Sequence, residues 1–599
     1  MSQIKEQSAD YQLTDLAPVL KVVDAGNILL ESLPVWLSAQ TRKSAGRGRS
    51  AENTLQYGVQ KLRELILELA VRGKLVSQDP NDEPASLLLK KIAEEKSRLV
   101  KEGKIKKQKI LPPVSIQELL FQAPAGWGWT RLGVLFNSII SGGTPSKNNP
   151  AFWGGDIPWA SVKDLGKARY IRSTQDFITE EGLKKGSKLA DVGDILICTR
   201  MGLGKTAICE SPIAINQDLK AIKMSSHVSV DFFLNAYTTI DIKGTGTTVA
   251  GITQDKLLNY PIALPPLAEQ QRIVKKVDEL MALCDQLEQQ QADAVQAHDI
   301  LVKVLLDALT QSENAEGFQQ NWHRIAEHFD TLFTTESSID QLKQTLLQLA
   351  VMGKLVPQDP NDEPANILLE KIAVEKARLV KEGKIKEQKS LPEIREIETP
   401  FALPAGWKWA HVEDVAQLIT SGSRGWAKYY SNEGAIFITM GNLSRGHYHL
   451  RMDDIRYVNP PKSGEGARTK LVENDLLISI TGDVGNLGLV PENFGDAYIN
   501  QHTCLLRFMP ECQNRYFPEL MRSPLANIQF NAPQRGVKNS FRLSDVGEMI
   551  IPIPPLAEQH RIVKKVDELM VLCDQLKDRL NQAQTLQQQL ANAVVEKTI

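Results

Sequence analysis

One long word occurs twice in this chain and dictates most of what it can fold into. Pro265-Pro266-Leu267-Ala268-Glu269-Gln270 leads into Arg272 to Leu280, and Pro554-Pro555-Leu556-Ala557-Glu558-Gln559 leads into Arg561 to Leu569. From Leu267 to Leu287 and from Leu556 to Leu576, about 19 of 21 positions are identical. The proline pair can end an extended segment, and the strong helix formers after it contain no Gly or Pro. Apolar and small residues then alternate at spacings of four and three. The first copy offers Ile273, Val277, Leu280, Cys284, Leu287, Gln291, Ala294, His298, Leu301, Leu305 and Ala308. The second offers Ile562, Val566, Leu569, Cys573, Leu576, Leu580, Ala583, Gln587, Leu590 and Val594. This is a coiled-coil seam over several heptads, present twice, and two such stripes in one molecule most simply bury each other.

A second repeat frames the first. Lys61 to Ile110 aligns without gaps to Gln341 to Ser390, with about 35 of 50 positions identical. Each copy predicts an amphipathic helix stopped at Gly73 or Gly353, an Asp-Pro-Asn-Asp turn, and a second helix starting near Pro84 or Pro364. The same offset reaches Gly126-Trp127-Gly128-Trp129 and Gly406-Trp407-Lys408-Trp409, tryptophan pairs that suit a strand packing into a core better than a binding platform. Between these frames the halves diverge. A skeleton survives in Ser141-Gly142-Gly143 against Ser421-Gly422-Ser423, Gly193 to Ile197 against Asn474 to Ile478, and Ile215-Asn216-Gln217 against Ile499-Asn500-Gln501. Short β-rich runs between Gly, Asn and Asp turns indicate mixed α/β globules.

The expected fold class is α+β: two mixed α/β globules in a pseudo-twofold arrangement, joined by long antiparallel coiled-coil helices. The expected divisions are an N-terminal extension, 1–56, partly helical with a basic linker from Thr41 to Ser50; a helical region, 57–123, repeated at 337–403; a globule, 124–264; a central helical region, 265–403, with a loose join from about Gln311 to Thr335; a globule, 404–553; and a final helix, 554–599. At 1.5 Å per residue, some 30–40 helical residues would hold the globules roughly 45–60 Å apart. DNA half-sites one turn apart lie about 34 Å centre to centre, so a twofold frame with two unlike readers suits a split, asymmetric site.

Bulk composition adds exclusions. With 70 basic and 72 acidic residues the formal charge is -2, so any DNA-binding face must arise by local clustering. Six cysteines form no C-x-x-C pair, and Cys284 and Cys573 fall on seam positions as small buried thiols. A reduced, cytoplasmic setting is expected, with no signal peptide and no membrane-spanning run.

Catalytic motifs fail on inspection. Asn459-Pro460-Pro461 is followed by Lys462 where an adenine methyltransferase needs a stacking aromatic, and the preceding chain lacks a strand–Gly-x-Gly unit at the place expected for a cofactor turn. Gly202-Leu203-Gly204-Lys205-Thr206 imitates a P-loop, but Thr199 stands where the first glycine belongs. A glycine-rich loop near a DNA backbone fits better, and the histidines show no metal-ligand spacing.

The repeated Pro-Pro-Leu-Ala-Glu-Gln-x-Arg-Ile-Val helices closely resemble those of the specificity subunits of type I restriction–modification systems. So do the Gly-Lys-Leu-Val-x-Gln-Asp-Pro-Asn-Asp-Glu-Pro turns, the Gly-Trp-x-Trp openings and the Ile-Asn-Gln words, from about residue 57 onward. The resemblance implies two target-recognition domains, each reading half of a bipartite site in double-stranded DNA. It implies two methyltransferase subunits and two restriction/translocase subunits as partners, which would carry S-adenosylmethionine, ATP and Mg; none would bind this chain. It would then be a non-catalytic subunit directing N6-adenine methylation and restriction. A scaffold pairing two non-DNA ligands is the alternative, and a self-sufficient methyltransferase is disfavoured by the missing cofactor motif.

Base edges are read by Arg, Lys, Asn, Gln, Ser and Thr on loops, with further cations on phosphates. The candidates are Thr144, Lys147, Asn148, Ser161, Lys163, Arg200, Lys205 and Gln217 in the first globule. In the second they are Ser423, Arg424, Lys428, Asn442, Arg445, Gln534, Arg535, Lys538 and Asn539. Gln217 and Gln501 also suit buried structural amides. Lys275, Lys276, Asp278 and Glu279, with their copies Lys564, Lys565, Asp567 and Glu568, suit two equivalent partner-docking faces or a solvated helix surface.

Overall fold

The computed structural model describes residues 31–39, 41–42, 54–55, 57–166, 168–240, 251–313, 315–387, 391–460, 468–532 and 540–599. It divides into two units, residues 1–293 with 583–599, and residues 294–582.

In the first unit, helix Tyr57–Val71 turns at Gly73 (φ 68°), where a Cβ would lie 2.5 Å from the Pro124 ring, and helix Ala85–Lys101 follows. In the second, helix Glu336–Val351, Gly353 (φ 68°) against Pro404 and helix Ala365–Lys381 repeat the arrangement. Only glycine takes this left-handed turn without cost.

The repeated Glu-Gln words explain why the frame is so alike in both halves. Glu269 is almost fully buried, and its carboxylate accepts hydrogen bonds from Gln78 Nε2 (3.1 Å) and Trp127 Nε1 (3.0 Å). Arg272 donates to Asp82 at 2.6 Å one helical turn on. In the second unit Glu558 accepts from Gln358 (3.1 Å) and Trp407 (2.9 Å), and Arg561 meets Asp362 at 2.6 Å. The neighbouring Gln270 and Gln559 are also buried, and each donates to the carbonyl of the first proline of its motif, at 3.0 and 2.9 Å. A buried carboxylate persists only when its acceptors are satisfied, so turn, tryptophan and long helix are fixed together.

Each insert leaves and re-enters its frame through a two-stranded antiparallel ladder, Gly128–Arg131 with Pro261–Leu264 and Lys408–His411 with Ile550–Ile553. The first insert holds a five-stranded sheet in the order Phe136–Ser141, Leu219–Met224, Ile195–Cys198, Thr206–Cys209, Tyr170–Ile171. A four-stranded sheet is ordered Asp176–Ile178, Trp153–Ala160, Ile213–Ile215, Lys188–Ala190. In the second insert, Ala416–Ser421, Thr503–Phe508, Leu476–Ser479 and Leu487–Leu489 match the first four strands of the larger sheet. Its other sheet runs Tyr430–Ser431, Arg456–Val458, Ala435–Ile438, Ala497–Ile499. Ile195–Cys198 and Leu476–Ser479 are buried along their whole length, as central strands require.

The repeated helices run Leu267–Thr310 and Leu556–Thr598. In the first unit Ile273, Val277, Leu280, Cys284 and Leu287 share a core with Ala591, Val594 and Val595. In the second unit Val302, Leu306 and Leu309 share one with Leu569, Cys573, Leu576 and Leu580. Low numbers on one helix thus go with high numbers on the other, the order an antiparallel pair requires. The seam does not keep its expected register. Leu301 is half exposed while Val302 is buried, and Leu590 is half exposed while Ala591 is buried. A straight helix drifts against a seven-residue repeat, so over this length the buried stripe moves to the adjacent residue.

Two stretches expected as linkers carry secondary structure. The extension supplies helix Leu33–Ser38, whose Trp36 is wholly buried in the first unit's core, and Gly58 N donates to Ala39 O at 2.8 Å. Thr41–Arg42, expected as linker, pairs antiparallel with Thr54–Leu55. The expected loose join at 311–335 contains helices Ala315–Glu327 and Phe329–Leu332, because Ile325, Leu332 and Phe333 are drawn into the core around Val302 and Leu306. Among the described residues no helix is long and apolar enough to cross a membrane, and all six cysteines are free and buried.

Candidate nucleic-acid interface

At one end of the five-stranded sheet in the first insert, and of the matching four-stranded sheet in the second, the same three turns meet. In the first insert, Cys198 N donates to Lys205 O (3.0 Å), Thr199 N to Asp218 O (2.8 Å) and Ile252 N to Thr199 O (2.9 Å). In the second, Ser479 N donates to Asn486 O (2.9 Å), Ile480 N to His502 O (3.0 Å) and Phe541 N to Ile480 O (2.9 Å). These matched bonds pair Arg200 with Thr481, Lys205 with Asn486, Gln217 with Gln501 and Asp218 with His502. A glycine closes each rim. A Cβ on Gly142 would stand 2.0 Å from Asn216 O, and one on Gly422 2.1 Å from Ile499 O. The glycines are there because two backbones touch, a close approach no side chain allows.

In the first insert, Lys147, Asn148, Arg200, Lys205 and Gln217 are exposed. Arg200 lies 3.7 Å from the carboxylate of Asp218, and the Thr144 hydroxyl donates to Gln217 Oε1. Lys205 follows Gly204 (φ 87°), with its stem along Gly166 and Gly202. Lys163 is half exposed and pairs with Asp176 at 2.8 Å, an ion pair that solvent weakens. Ser161 serves the turn: its amide and hydroxyl both donate to Asp164 Oδ2, at 2.9 and 3.0 Å.

In the second insert, Arg424, Lys428 and Arg445 are exposed. Lys428 sits 4.9 Å above the Tyr429 ring. Arg445 donates to Asp483 (2.8 Å) and Val484 O (2.6 Å). Ser423 caps the short helix Arg424–Tyr429 by accepting from Gly425 N. Asn442 is a correction. It is only 4 % exposed, its Oδ1 accepts from Thr439 N (3.0 Å) and its Nδ2 donates to Arg451 O (2.9 Å). It does for Thr439 what Asp164 does for Ser161, so its amide is spent inside the turn. Gln534, Arg535, Lys538 and Asn539 lie outside the described residues, as does the end of the Asn459-Pro460-Pro461 word.

In each Ile-Asn-Gln word the asparagine holds the turn, buried at Asn216 and half-buried at Asn500. Asn216 Oδ1 accepts from Asp218 N and Asn500 Oδ1 from His502 N, both at 3.0 Å, which leaves Gln217 at the exposed tip and Gln501 half exposed. Asp218, Thr481 and His502 escaped the sequence reading. Their signal lay only in adjoining those words and the glycine-rich turns.

The two helix faces read as docking surfaces are not equivalent. Lys275, Asp278, Glu279, Lys564, Lys565 and Glu568 are exposed, and Lys276–Glu279 (3.5 Å) matches Lys565–Glu568 (3.3 Å). Asp567, however, is held at both oxygens by Arg515 of its own unit, at 2.6 and 2.7 Å. Asp278 is exposed. Burial pushes the Cys284 thiol up to about 11 and Cys504 to about 12, which disfavours their nucleophilic thiolate forms.

Two frames of matching geometry thus each carry a sheet-based globule with a polar, glycine-closed rim. The family model for the type I restriction modification DNA specificity domain matches residues 124–297 and 404–584, and the chain belongs to that family. The type I restriction enzyme EcoAI specificity subunit of Escherichia coli is 39% identical over 96% of this chain and 99% of its own length. The EcoEI specificity subunit of the same species is 38% identical over 95% and 98%. A chain from a structural study of complex assembly in the type I R-M system superposes with a TM-score of 0.43 at 18% identity, covering 80% of this chain and 98% of that one.

Proposed function

We propose that this chain is the non-catalytic, sequence-reading subunit of a type I restriction–modification complex. Each insert reads one half of a bipartite, asymmetric site in double-stranded DNA. Methylation at adenine N6 and restriction are carried out by two methyltransferase and two restriction/translocase subunits, which hold S-adenosylmethionine, ATP and Mg. The observation that carries this reading is the pair of rims, equal in backbone and unequal in side chains: Arg200, Lys205 and Asp218 against Thr481, Asn486 and His502. A protein reading two identical words would need no such difference. The lysines and acids at 275–279 and 564–568, exposed except for Lys276 and Asp567, are the surfaces offered to the methyltransferase subunits.

Single-molecule sequencing of host DNA, with and without this chain and with its methyltransferase partner expressed, tests the proposal. A split motif carrying N6-methyladenine only when the chain is present is expected. An unchanged methylome with verified partner expression counts against it. Arg535→Ala is expected to weaken binding to the second half-site by about 1–3 kcal/mol in a gel-shift titration of the assembled methyltransferase.

A further inference from the structure

Asp218 and His502 occupy the same position in the two rims, directly after the Ile-Asn-Gln words, and share no chemistry. Asp218 is 7% exposed, and its carboxylate makes no backbone bond among the described residues. It accepts from Gln217 Nε2 at 3.3 Å and from Asn216 Nδ2 at 3.5 Å, and faces Arg200 Nη1 at 3.7 Å. The turn itself is held by Asn216 Oδ1 and by the Asp218 main chain, so the side chain is free of that duty. The half-buried His502 ring is engaged the same way. Its Nδ1 meets Thr481 Oγ1 at 2.7 Å and its Nε2 meets Gln501 Nε2 at 2.7 Å, while its own amide takes the bond to Asn500 Oδ1.

The two partners are homologous in each case: Arg200 with Gln217, Thr481 with Gln501. Long polar side chains at a rim lose rotamer freedom when they bind, and a fixed partner beneath them meets that cost in advance. An acid suits an arginine and an amide donor. An imidazole, with one ring nitrogen for each neighbour, suits a hydroxyl and an amide.

We propose that Asp218 and His502 are positioning residues for base recognition, each holding the two homologous rim side chains of its reader in the pose that meets DNA. The proposal rests on the DNA-reading function above and deepens it. Specificity in each half then depends on a coupled trio rather than on independent contacts: Arg200, Gln217 and Asp218 in the first reader, Thr481, Gln501 and His502 in the second.

The test is the methylated motif written by the full complex in cells. Wild type must give a split motif; if it gives none, the functional reading fails and this inference with it. Given that motif, Asp218→Ala is expected to blur the base positions that Arg200→Ala blurs, raising methylation of singly altered sites about tenfold or more relative to the cognate site. The other half-motif should stay sharp. His502→Ala should act in mirror image. The Arg200→Ala/Asp218→Ala pair should be no worse at those positions than Arg200→Ala alone, since the two act as a unit. If Asp218→Ala abolishes methylation, Asp218→Asn decides, because it keeps the shape and an acceptor for Gln217 and removes only the charge facing Arg200. A blur confined to the Arg200 positions supports the proposal. Unchanged motifs in the Asp218 and His502 variants, additive losses in the double variant, or a uniform fall across a whole half-motif in Asp218→Asn each overturn it.

Discussion

The two halves of this chain agree where polar groups are buried in the frame and disagree where they are displayed on the rims. Glu269 and Glu558 receive the same two donors at distances within 0.1 Å of each other, from residues at matching positions of each half. On the rims, Thr481 stands in one half where Arg200 stands in the other, and His502 where Asp218 stands. A buried carboxylate that loses a donor is penalised in full, whereas a rim side chain is penalised only through what it must recognise. Duplication followed by drift therefore leaves the anchors fixed and the readers free.

The comparison can be broken at several points. The largest effect belongs to a residue without a counterpart in kind: Trp36→Ala should cost about 3–5 kcal/mol, since it empties a fully buried site. Chemical denaturation should show that loss in the first unit, and equal loss in both would sink the assignment. Next come the paired anchors. Glu269→Ala and Glu558→Ala should each cost about 2–4 kcal/mol, because a tryptophan N–H and a glutamine amide lose their acceptor. The two penalties should match within error; clearly unequal values would show that the anchors are alike only in geometry. Smaller is the contrast on the long helices. Asp567→Ala should cost about 0.5–1 kcal/mol through its half-exposed pair with Arg515, and Asp278→Ala close to nothing in thermal melts. Smallest is a pH effect. Burial lifts the carboxyls of Glu269 and Glu558 above the ordinary carboxylate range, against the opposing hydrogen bonds. The folded value then exceeds the unfolded one, so each group takes up protons on folding, and stability falls as pH rises between the two values. Replacing both by Gln should flatten that slope, whatever it does to stability at a single pH.

Repetition made the frame legible. The helix pairs, the Gly73 and Gly353 turns and the long helices followed from words that recur, because one copy interprets the other. Register at the far ends of the long helices was not legible. Leu301 and Val302 are equally apolar, and which one is buried depends on the partner it meets there. Trp36 was missed for a related reason: Pro34 interrupts the local pattern, and nothing near it reveals a core supplied from Leu65 and Leu69. The rims were half legible. Gly, Asn and Gln in repeated words located the turns, but whether Asn442 points outward or caps its own loop depends on a bond to Arg451 that spacing does not announce. Asp218 and His502 were hidden because their likeness lies in what they hold.

The core of the first unit includes Ala591, Val594 and Val595, and Tyr57 donates to Asn592 across 535 residues of sequence. At a synthesis rate of about 5–20 residues per second, the ribosome takes on the order of 30–100 s to deliver the last pieces of that core. The second unit is one continuous stretch, 294–582, so its pieces are made one after another. Helix Tyr57–Val71 therefore waits through synthesis of the whole second unit with part of its apolar face uncovered. A holding chaperone has its longest opportunity there.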